Sequence, residues 1–231
     1  MATISENLQV VRGRIERAAR SARRDPSSVT LLAVSKTHPV ARVEEAHAAG
    51  QTAFGENYVQ EALEKMKALP NLEWHLIGPL QSNKTRPAAE RFDWVHTLSS
   101  GKIARRLSEQ RPEGRAPLNV LIQVNISGES TKAGVRTDQV GELAERILPL
   151  KGVRLRGLMA VPEPSADASL QRSRFSEVRE LLEELKRQGL ALDTLSMGMS
   201  DDMESAIEEG ATMVRIGTAI FGLRAKVKSA A

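Results

Sequence analysis

The sequence predicts an α/β fold, a (β/α)8 barrel of the TIM type, in a single domain with an extra N-terminal helix. The chain of 231 residues suits one large domain, since domains hold ~150 residues on average. From Val29 onward, short apolar runs alternate with amphipathic stretches, a pattern typical of parallel strands joined by helices. About eight such units follow one another, and eight is the number that closes a barrel. We therefore expect one barrel domain over residues 1–231.

The first element is an amphipathic helix within residues 1–25. Thr3 and Glu6 have the spacing of a capping box, and Leu8, Val11 and Ile15 follow at steps of three and four. Four arginines occupy the other side of this helix: Arg14, Arg17, Arg20 and Arg24. We interpret them as a solvated face rather than a nucleic-acid surface, because aromatic side chains that could stack on bases make up only 3% of the chain.

Eight apolar runs after this helix predict the strands of the barrel. They are Val29–Ser35, Thr52–Phe54, Glu73–Ile77, Asp93–Thr97, Leu118–Val124, Val153–Met159, Leu192–Ser196 and Thr212–Ile216. The runs that begin at Thr52 and Asp93 are the weakest. If neither formed a strand, an open doubly wound sheet would be the alternative fold.

Helix-like stretches separate these runs, and several of them stop at a glycine. They lie near residues 40–49, 56–68, 81–91, 100–110, 137–148, 167–188 and 201–209. Gly50, Gly189 and Gly210 stand where helix C-caps are expected. In a barrel of this kind, binding and catalytic residues are expected in the loops that follow the strands.

Composition excludes several classes of protein. The net charge of +4 is small for a nucleic-acid-binding surface, and the absence of cysteine excludes disulfides and thiolate chemistry. No stretch approaches the ~20 apolar residues of a membrane span, and the N-terminus carries no signal-peptide core. We expect a cytoplasmic monomer with neither a nucleic-acid nor a membrane partner. No metal site is predicted, because the four histidines lack paired ligand spacing.

Lys36 is the lysine whose position favours chemistry. It follows the unbroken apolar run of the first strand, Leu31–Val34, after one serine. An amine at an apolar barrel mouth is partly desolvated, which lowers its pKa, and a neutral amine can form a Schiff base with a carbonyl. The alternative is a lysine that extends from the strand end into solvent.

The opposite end of the chain predicts an anion-binding site. Ser200 follows the seventh strand, and Gly217 and Thr218 follow the eighth, where barrels often hold a phosphate group. Each residue could instead be a helix cap or a turn residue. Together with Lys36 they describe a pocket for a phosphorylated aldehyde, either pyridoxal 5′-phosphate or the substrate of a sugar-phosphate aldolase.

Arg215 helps to choose between the two. If its side chain points inward, it can donate to the pyridine nitrogen of pyridoxal phosphate, which predicts a weak electron sink, because a carboxylate there would keep that nitrogen protonated. The alternatives for Arg215 are a phosphate clamp and an outward salt bridge.

At these residues the chain resembles the pyridoxal phosphate homeostasis proteins (YggS/PROSC type), which share the barrel of the alanine racemase N-terminal domain. The resemblance runs from the first strand to the last helix. The matching stretches are LLAVSKT at Leu31–Thr37, FGENYVQE at Phe54–Glu61, WHLIGPLQSNK at Trp74–Lys84, VLIQVNISGESTKAGV at Val120–Val135, GLMA at Gly157–Ala160 and LSMGMSDDMESAIEEGATMVRIGTAIFG at Leu195–Gly222.

The resemblance implies a protein of vitamin B6 homeostasis that binds pyridoxal 5′-phosphate without a dedicated catalytic reaction. It implies that Lys36 carries the cofactor as a Schiff base and that Asn57 lies near the ring. It further implies that Arg215 faces the pyridine nitrogen, and that the phosphate is held by Ser200, Gly217 and Thr218. Apo forms of pyridoxal phosphate enzymes are the expected recipients.

Two other functions stay open. The first is a small pyridoxal phosphate enzyme such as an amino-acid racemase, for which acid and base groups are needed on both faces of the substrate. The chain has one tyrosine, Tyr58, which we interpret as a surface or packing residue, and we expect no second domain that could supply another. The second is a Schiff-base aldolase, although the sixth strand ends at Gly157–Ala160 without the mid-barrel lysine common in such enzymes.

The loop at 126–136, after the fifth strand, is polar and contains two glycines, so we expect it to move over the site. Lys132 in this loop, and Lys84 after the third strand, could offer a second amine to the cofactor. We interpret both as surface lysines.

Overall fold

The computed structural model describes residues 2–127 and 133–222, and it confirms the predicted barrel. Eight parallel strands pair in chain order and close on themselves, with Leu32 of the first strand opposite Arg215 of the last. The strands are β1 Thr30–Val34, β2 Ala53–Glu56, β3 Glu73–Leu76, β4 Trp94–Leu98, β5 Leu118–Val124, β6 Val153–Ala160, β7 Thr194–Ser196 and β8 Met213–Ile216. Both weak runs form strands, so the open doubly wound sheet is wrong.

Helices surround the barrel, and short 3-10 turns precede some of them. The helices are α1 Ile4–Ser21, α2 Val40–Ala48, α3 Val59–Ala68, α4 Thr85–Arg91, α5 Gly101–Gln110, α6 Val140–Ile147, α7 Ala168–Arg187, α8 Met203–Glu208 and α9 Thr218–Phe221. None of the helices in the described ranges has the length and apolarity needed to cross a membrane. Lys132 and part of the 126–136 loop lie outside the described residues.

The N-terminal helix forms with the predicted capping box. The Thr3 amide donates to Glu6 Oε2 at 2.7 Å, and the Glu6 amide donates to Thr3 Oγ1 at 3.2 Å. Its apolar face, which includes Leu8 and Val11, is buried against the helices at the two ends of the chain, α2, α8 and α9. This helix therefore joins the first part of the chain to the loops that follow β7 and β8.

The arginine side of α1 is only partly solvated, which corrects the prediction for two of its four residues. The side chain of Arg20 is 70% exposed. Arg14, in contrast, forms a two-pronged pair with Glu204, and Arg24 Nη1 donates to the carbonyl oxygen of Ile207 at 2.7 Å. The sequence shows which side of a helix is polar but not which part of that side another element covers.

The core has an outer and an inner part. The outer part fills the space between the strands and the helices with apolar side chains. The barrel interior contains a small apolar cluster that includes Leu32, Ala53 and Met213. It also contains buried polar residues, among them His75 and His96. The interior is thus packed, and the room for a ligand lies at the mouth of the barrel, beyond the carboxyl ends of the strands.

Candidate functional site

A cavity of about 500 Å³ opens at the carboxyl ends of β1 and β8. Five of the six predicted site residues line it: Lys36, Ser200, Arg215, Gly217 and Thr218. They come from opposite ends of the chain, and closure of the barrel brings them together because β1 pairs with β8. The cavity therefore has an amine, a buried guanidinium and two loops with hydroxyl groups on its walls.

Lys36 lies in the turn that follows β1, two residues after Val34, and it is half-buried. The next residue, Thr37, has a φ of +67°, a left-handed conformation that is costly for a β-branched residue. The Thr37 amide donates to Glu61 Oε1 of α3 at 2.6 Å. The turn is thus held in a strained conformation by a contact on the side of Lys36 that faces α3.

A buried cluster of charged side chains holds this turn against β2 and α3. We call Ser35, Glu56, Glu61 and Lys65 the turn cluster. Lys65 Nζ donates to Glu56 Oε1 at 2.6 Å, to Glu61 Oε1 at 2.7 Å and to the carbonyl oxygen of Ser35 at 2.8 Å. The cluster ties the residues on both sides of Lys36 to β2 and α3, which fixes where the Lys36 side chain starts.

The charge balance of the turn cluster depends on Lys65. Glu56 is fully buried, and burial raises the pKa of its carboxyl group, while the ammonium group of Lys65 opposes that shift. Ser35 Oγ also donates to Glu56 Oε1 at 2.6 Å. A buried carboxylate of this kind is stable only while its cation is present.

The loop after β7 brings Ser200 to the cavity. Gly198 has a φ of +92°, and the carbonyl oxygen of Gly198 accepts from the Arg215 amide at 3.0 Å. The Met199 amide donates to Asp202 Oδ1 at 2.5 Å, which closes the next turn. Arg14 Nη2 of α1 donates to the carbonyl oxygen of Ser200 at 3.0 Å. The loop is therefore fixed on three sides.

The loop after β8 brings Gly217 and Thr218 beside the end of β1. A Cβ atom on Gly217 would lie 3.2 Å from the carbonyl oxygen of Val34, so a side chain there would press on the strand that leads to Lys36. Thr218 is exposed and begins the short helix α9. The glycine leaves backbone accessible at the cavity wall, as close approach of a phosphate group requires.

Arg215 points inward, which excludes the outward salt bridge. It is 5% exposed, and its Nη1 donates to the carbonyl oxygen and to the hydroxyl of Ser196, at 2.6 and 2.7 Å. Its Nη2 donates to the carbonyl oxygen of Ala160 at 2.9 Å. Burial lowers the pKa of Arg215 to about 10, so the guanidinium remains charged at neutral pH.

Asn57, the sixth predicted residue, is half-buried in the loop after β2 and does not line the cavity. Its backbone lies against Gly78, where a Cβ atom would meet the Asn57 carbonyl oxygen at 2.1 Å. Tyr58 is 61% exposed beside it, as predicted for a surface residue. Lys84 is half-buried in a 3-10 turn and does not line the cavity either.

Sequence reasoning missed several residues of the site, among them Met199 and the carboxylate residue Asp201. Arg14 lines the cavity, although the sequence placed it on a solvated face. His38 also lines it and stacks on Phe221, with the ring centroids 5.0 Å apart. The position of His38, two residues after Lys36, is a signal that could have found it. Among the described residues, no group of acidic side chains and histidines could hold a metal ion.

Comparison with known proteins places this site in a family context. The model of the alanine racemase N-terminal domain matches residues 6–225. A pyridoxal phosphate homeostasis protein from Pseudomonas aeruginosa is 59% identical over 226 residues, 97% of each chain. Its counterpart in Escherichia coli K12 is 51% identical over 229 residues, 97% of this chain and 98% of that one.

Solved structures agree in fold. PipY from Synechococcus elongatus, in a structure described as having pyridoxal phosphate bound, is 40% identical with a TM-score of 0.78, covering 90% of this chain and 100% of that one. An alanine racemase from Clostridium difficile is 13% identical with a TM-score of 0.75, covering 94% of this chain and 56% of that one. The second likeness shows the shared barrel alone.

Proposed function

This chain belongs to the pyridoxal phosphate homeostasis protein family, and on that premise we propose that it binds pyridoxal 5′-phosphate and serves in the supply of that cofactor. The observation that carries the proposal is the single cavity lined by Lys36 on one side and by Ser200, Gly217 and Thr218 on the other. Its volume of about 500 Å³ is within the range of small-molecule sites. The donor set also fits, with an amine, a guanidinium and a glycine that leaves backbone accessible.

Lys36 holds the cofactor covalently in this proposal. When bound, the cofactor supplies an aldehyde, with which an unprotonated lysine amine condenses to a Schiff base with release of water. Val34 and Ile77 form an apolar part of the cavity wall that Lys36 shares. The turn cluster holds the backbone of Lys36 in place, so the amine can reach into the cavity without reordering the turn.

The phosphate group is assigned to the loops after β7 and β8. Ser200 and Thr218 offer hydroxyl donors, and Gly217 leaves the backbone accessible at the wall. Arg215 offers its guanidinium to the pyridine nitrogen, a role that a permanent donor can fill. Asn57 does not line the cavity, and its place near the ring is proposed from the family resemblance alone.

We assign no dedicated reaction to the site. A guanidinium beside the pyridine nitrogen does not supply a proton as a carboxylic acid would, so the site is poor at stabilising a carbanion. The side chain of Tyr58, the one tyrosine of the chain, is 61% exposed. The proposal includes a monomer in the cytoplasm that passes the cofactor to apo-enzymes.

The visible absorption spectrum of the purified protein, loaded with pyridoxal phosphate and then freed of unbound cofactor by gel filtration, tests the binding. We expect a band above the range of protein absorption that is absent in Lys36→Ala and retained in Lys84→Ala, the matched control. A colourless wild-type protein, or an unchanged band in Lys36→Ala, would contradict the proposal. A sugar-phosphate aldolase would also give no such band.

A small racemase is the second candidate, because the alanine racemases share this barrel. Incubation of the loaded protein with single enantiomers of several amino acids separates the two. We expect the enantiomers to stay unchanged over many hours, whereas the cofactor should transfer to an added apo-enzyme. Sustained racemisation would favour the enzyme.

A further inference from the structure

A chain of hydrogen bonds runs through the barrel interior from the cavity to the opposite end. We call its members the interior chain. Arg215 Nη1 lies 2.7 Å from Ser196 Oγ, which lies 3.0 Å from His96 Nδ1. His96 Nε2 lies 2.9 Å from His75 Nδ1, and His75 Nε2 lies 3.0 Å from Glu73 Oε1. Four residues from β3, β4 and β7 thus connect Arg215 to the far end of the barrel.

The interior chain is dry along most of its length. Ser196, His96 and His75 are 0% exposed, whereas the side chain of Glu73 is 46% exposed at the end away from the cavity. The Trp94 ring stacks on His75 at a centroid distance of 5.4 Å and an angle of 5°, and its Nε1 donates to Glu73 Oε1 at 2.7 Å. The two contacts restrain His75 and its acceptor Glu73, so the His75 imidazole has little freedom to form other hydrogen bonds.

The chemistry at the two ends fixes the direction of the two terminal bonds, and the inner bonds follow if both histidines are neutral. A guanidinium can only donate, and a carboxylate can only accept. Ser196 Oγ accepts from Arg215, and when its own proton goes to His96 Nδ1, the proton of His96 resides on Nε2. His75 then accepts at Nδ1 and donates from Nε2 to Glu73. Both histidines are neutral Nε2–H tautomers in this arrangement.

The charges around the interior chain agree with this assignment. Burial holds the pKa of His96 well below its usual range, and the neighbouring His75 and Arg215 lower it further. The hydrogen bond from His75 lowers the pKa of Glu73, which keeps it a carboxylate. Arg156 is one cation near this end; it lies 4.9 Å from the Trp94 ring centroid and is paired with Asp193 at 2.7 Å. Arg12, Arg91 and Arg115 line the surface pockets that contain Glu73.

We propose that Ser196, His96, His75 and Glu73 are positioning residues for Arg215, which hold its guanidinium at the wall of the cofactor cavity through one directional chain of hydrogen bonds. Branched apolar side chains usually fill such barrels. Burying polar side chains costs desolvation free energy that apolar packing would avoid. When every polar group has a hydrogen-bond partner, the network fixes one arrangement of the side chains. The binding part of this inference rests on the proposed function, and the tautomer part does not.

Nitrogen-15 NMR of histidine-labelled protein tests the direction of the chain without any cofactor. We expect His75 and His96 in the neutral Nε2–H form at neutral pH, and we expect His96, whose pKa is lowered by burial, to show no titration between about pH 5.5 and 8.5. In Glu73→Leu the last acceptor is lost, so both should become mixtures of tautomers. In Glu73→Gln an acceptor oxygen remains, so the Nε2–H form should persist. An Nδ1–H form of His75 or His96, or titration of His96 in that range, would overturn the assignment.

The affinity for pyridoxal phosphate tests the positioning role. We expect Ser196→Ala to weaken binding roughly tenfold, since one charge-assisted hydrogen bond of Arg215 is lost. Glu73→Leu should weaken binding roughly threefold from the far end of the barrel, and Glu73→Gln should restore most of it. Thr194→Val is the matched control, because Thr194 is buried on β7 but bonds Asp193 instead of the chain.

The two readouts separate the two claims. If the wild type binds no pyridoxal phosphate while the tautomers are as expected, the proposed function fails and the direction of the interior chain stands. If the wild type binds the cofactor and neither Ser196→Ala nor Glu73→Leu differs from Thr194→Val, the positioning role is wrong. Melting temperatures of all four variants identify any loss of affinity that comes from unfolding.

Discussion

Gly198 controls the path of the backbone from β7 to Ser200. Its φ of +92° lies in the left-handed region, and a Cβ atom there would lie 2.5 Å from Ala206 Cβ of α8. That contact is shorter than real Cβ atoms tolerate, so the helix or the loop would have to shift. The loop that brings a hydroxyl to the cavity therefore depends on the absence of a side chain.

Gly198→Ala should lower the free energy of unfolding by roughly 2 kcal/mol more than Gly114→Ala. Gly114 shares the left-handed conformation, with a φ of +85°, but has no atom within 4 Å of a Cβ position. The difference between the two variants thus isolates the steric clash from the cost of the backbone conformation. Urea unfolding of both variants measures it, and equal losses would contradict the clash.

Lys65 is the residue on which the turn beside Lys36 depends. We expect Lys65→Met to cost roughly 3 to 5 kcal/mol of stability, because it leaves the buried carboxyl group of Glu56 without its cation. Lys67→Met, on the same helix, should change stability by less than about 0.5 kcal/mol, because Lys67 pairs with Glu64 at the surface. Urea unfolding compares the two.

A second substitution checks the cause of that loss. Glu56→Gln in the Lys65→Met background removes the unpaired charge, so part of the lost stability should return. If the double variant is no more stable than Lys65→Met, the loss comes from packing instead of charge.

At the residue scale, the sequence indicated the residues that line the cavity better than the residues that hold them in position. Lys36, Ser200, Arg215, Gly217 and Thr218 could be predicted to lie at the barrel mouth, because they follow strands and a family motif contains them, and they line one cavity there. The residues that hold them in position could not be predicted, since each acts through a partner that is distant in sequence. His96 bonds Ser196 across a separation of 100 residues, and no local pattern carries that information.

The helix α1 is the element whose role the sequence revealed least. Arg14 crosses from it to the loop after β7, where it bonds the carbonyl oxygen of Ser200 and both oxygens of Glu204. An N-terminal helix thus closes one side of a cavity that is otherwise built by the ends of strands. Its amphipathic pattern predicted the helix but not this contact.

Arg14→Ala should weaken binding of pyridoxal phosphate roughly threefold to tenfold, since the Ser200 loop loses a charge-assisted bond. Arg20→Ala is the control on the same helix, with a side chain that is 70% exposed and paired with Glu16. Cofactor titration followed by absorbance measures both affinities. Equal affinities for the two variants would show that α1 does not support the site.

The strands were predicted in number and order, and their ends differ where partners decide them. β2 extends to Glu56, beyond the predicted end at Phe54, because Gly55 and Glu56 pair with His75 and Leu76 of β3. A glutamate after a short apolar run gives no indication in the sequence that it is a buried strand residue. It is stable there because Lys65 of α3 neutralises it, and that pair forms only in the folded chain.

Over the whole molecule, closure of the barrel does two things for the site. It joins β1 to β8, so that residues from both ends of the chain share one cavity. It also encloses the interior chain, which keeps the two imidazoles out of water. Stability and site geometry therefore depend on the same buried ionisable groups, the imidazoles of the interior chain.

The contribution of His96 to the stability should fall as the pH drops below about 6.5, whereas the raised pKa of Glu56 contributes with the opposite sign. Burial holds the pKa of His96 well below that value in the folded protein, so the unfolded chain takes up a proton that the folded chain does not. The loss from this group is at most about 1.4 kcal/mol per pH unit. Glu73, with its lowered pKa, adds a loss of the same sign only below its usual pKa of 4.5.

Urea unfolding at pH 7.5, 6.5 and 5.5 measures this dependence. His96→Gln should flatten the slope between pH 6.5 and 5.5, and His47→Gln, a substitution at an exposed histidine of α2, should leave it as in the wild type. The same slope in His96→Gln and in the wild type would contradict the neutral, buried state of His96.

The central claim is that Lys36 holds pyridoxal phosphate in the cavity at the barrel mouth. Borohydride reduction of the loaded protein, followed by digestion and peptide mass analysis, tests it most directly. The account predicts the mass of the reduced cofactor on the peptide that contains Lys36, in close to one copy per chain. The same mass on a peptide with Lys84 or Lys132 in place of Lys36, or on no peptide, would contradict it.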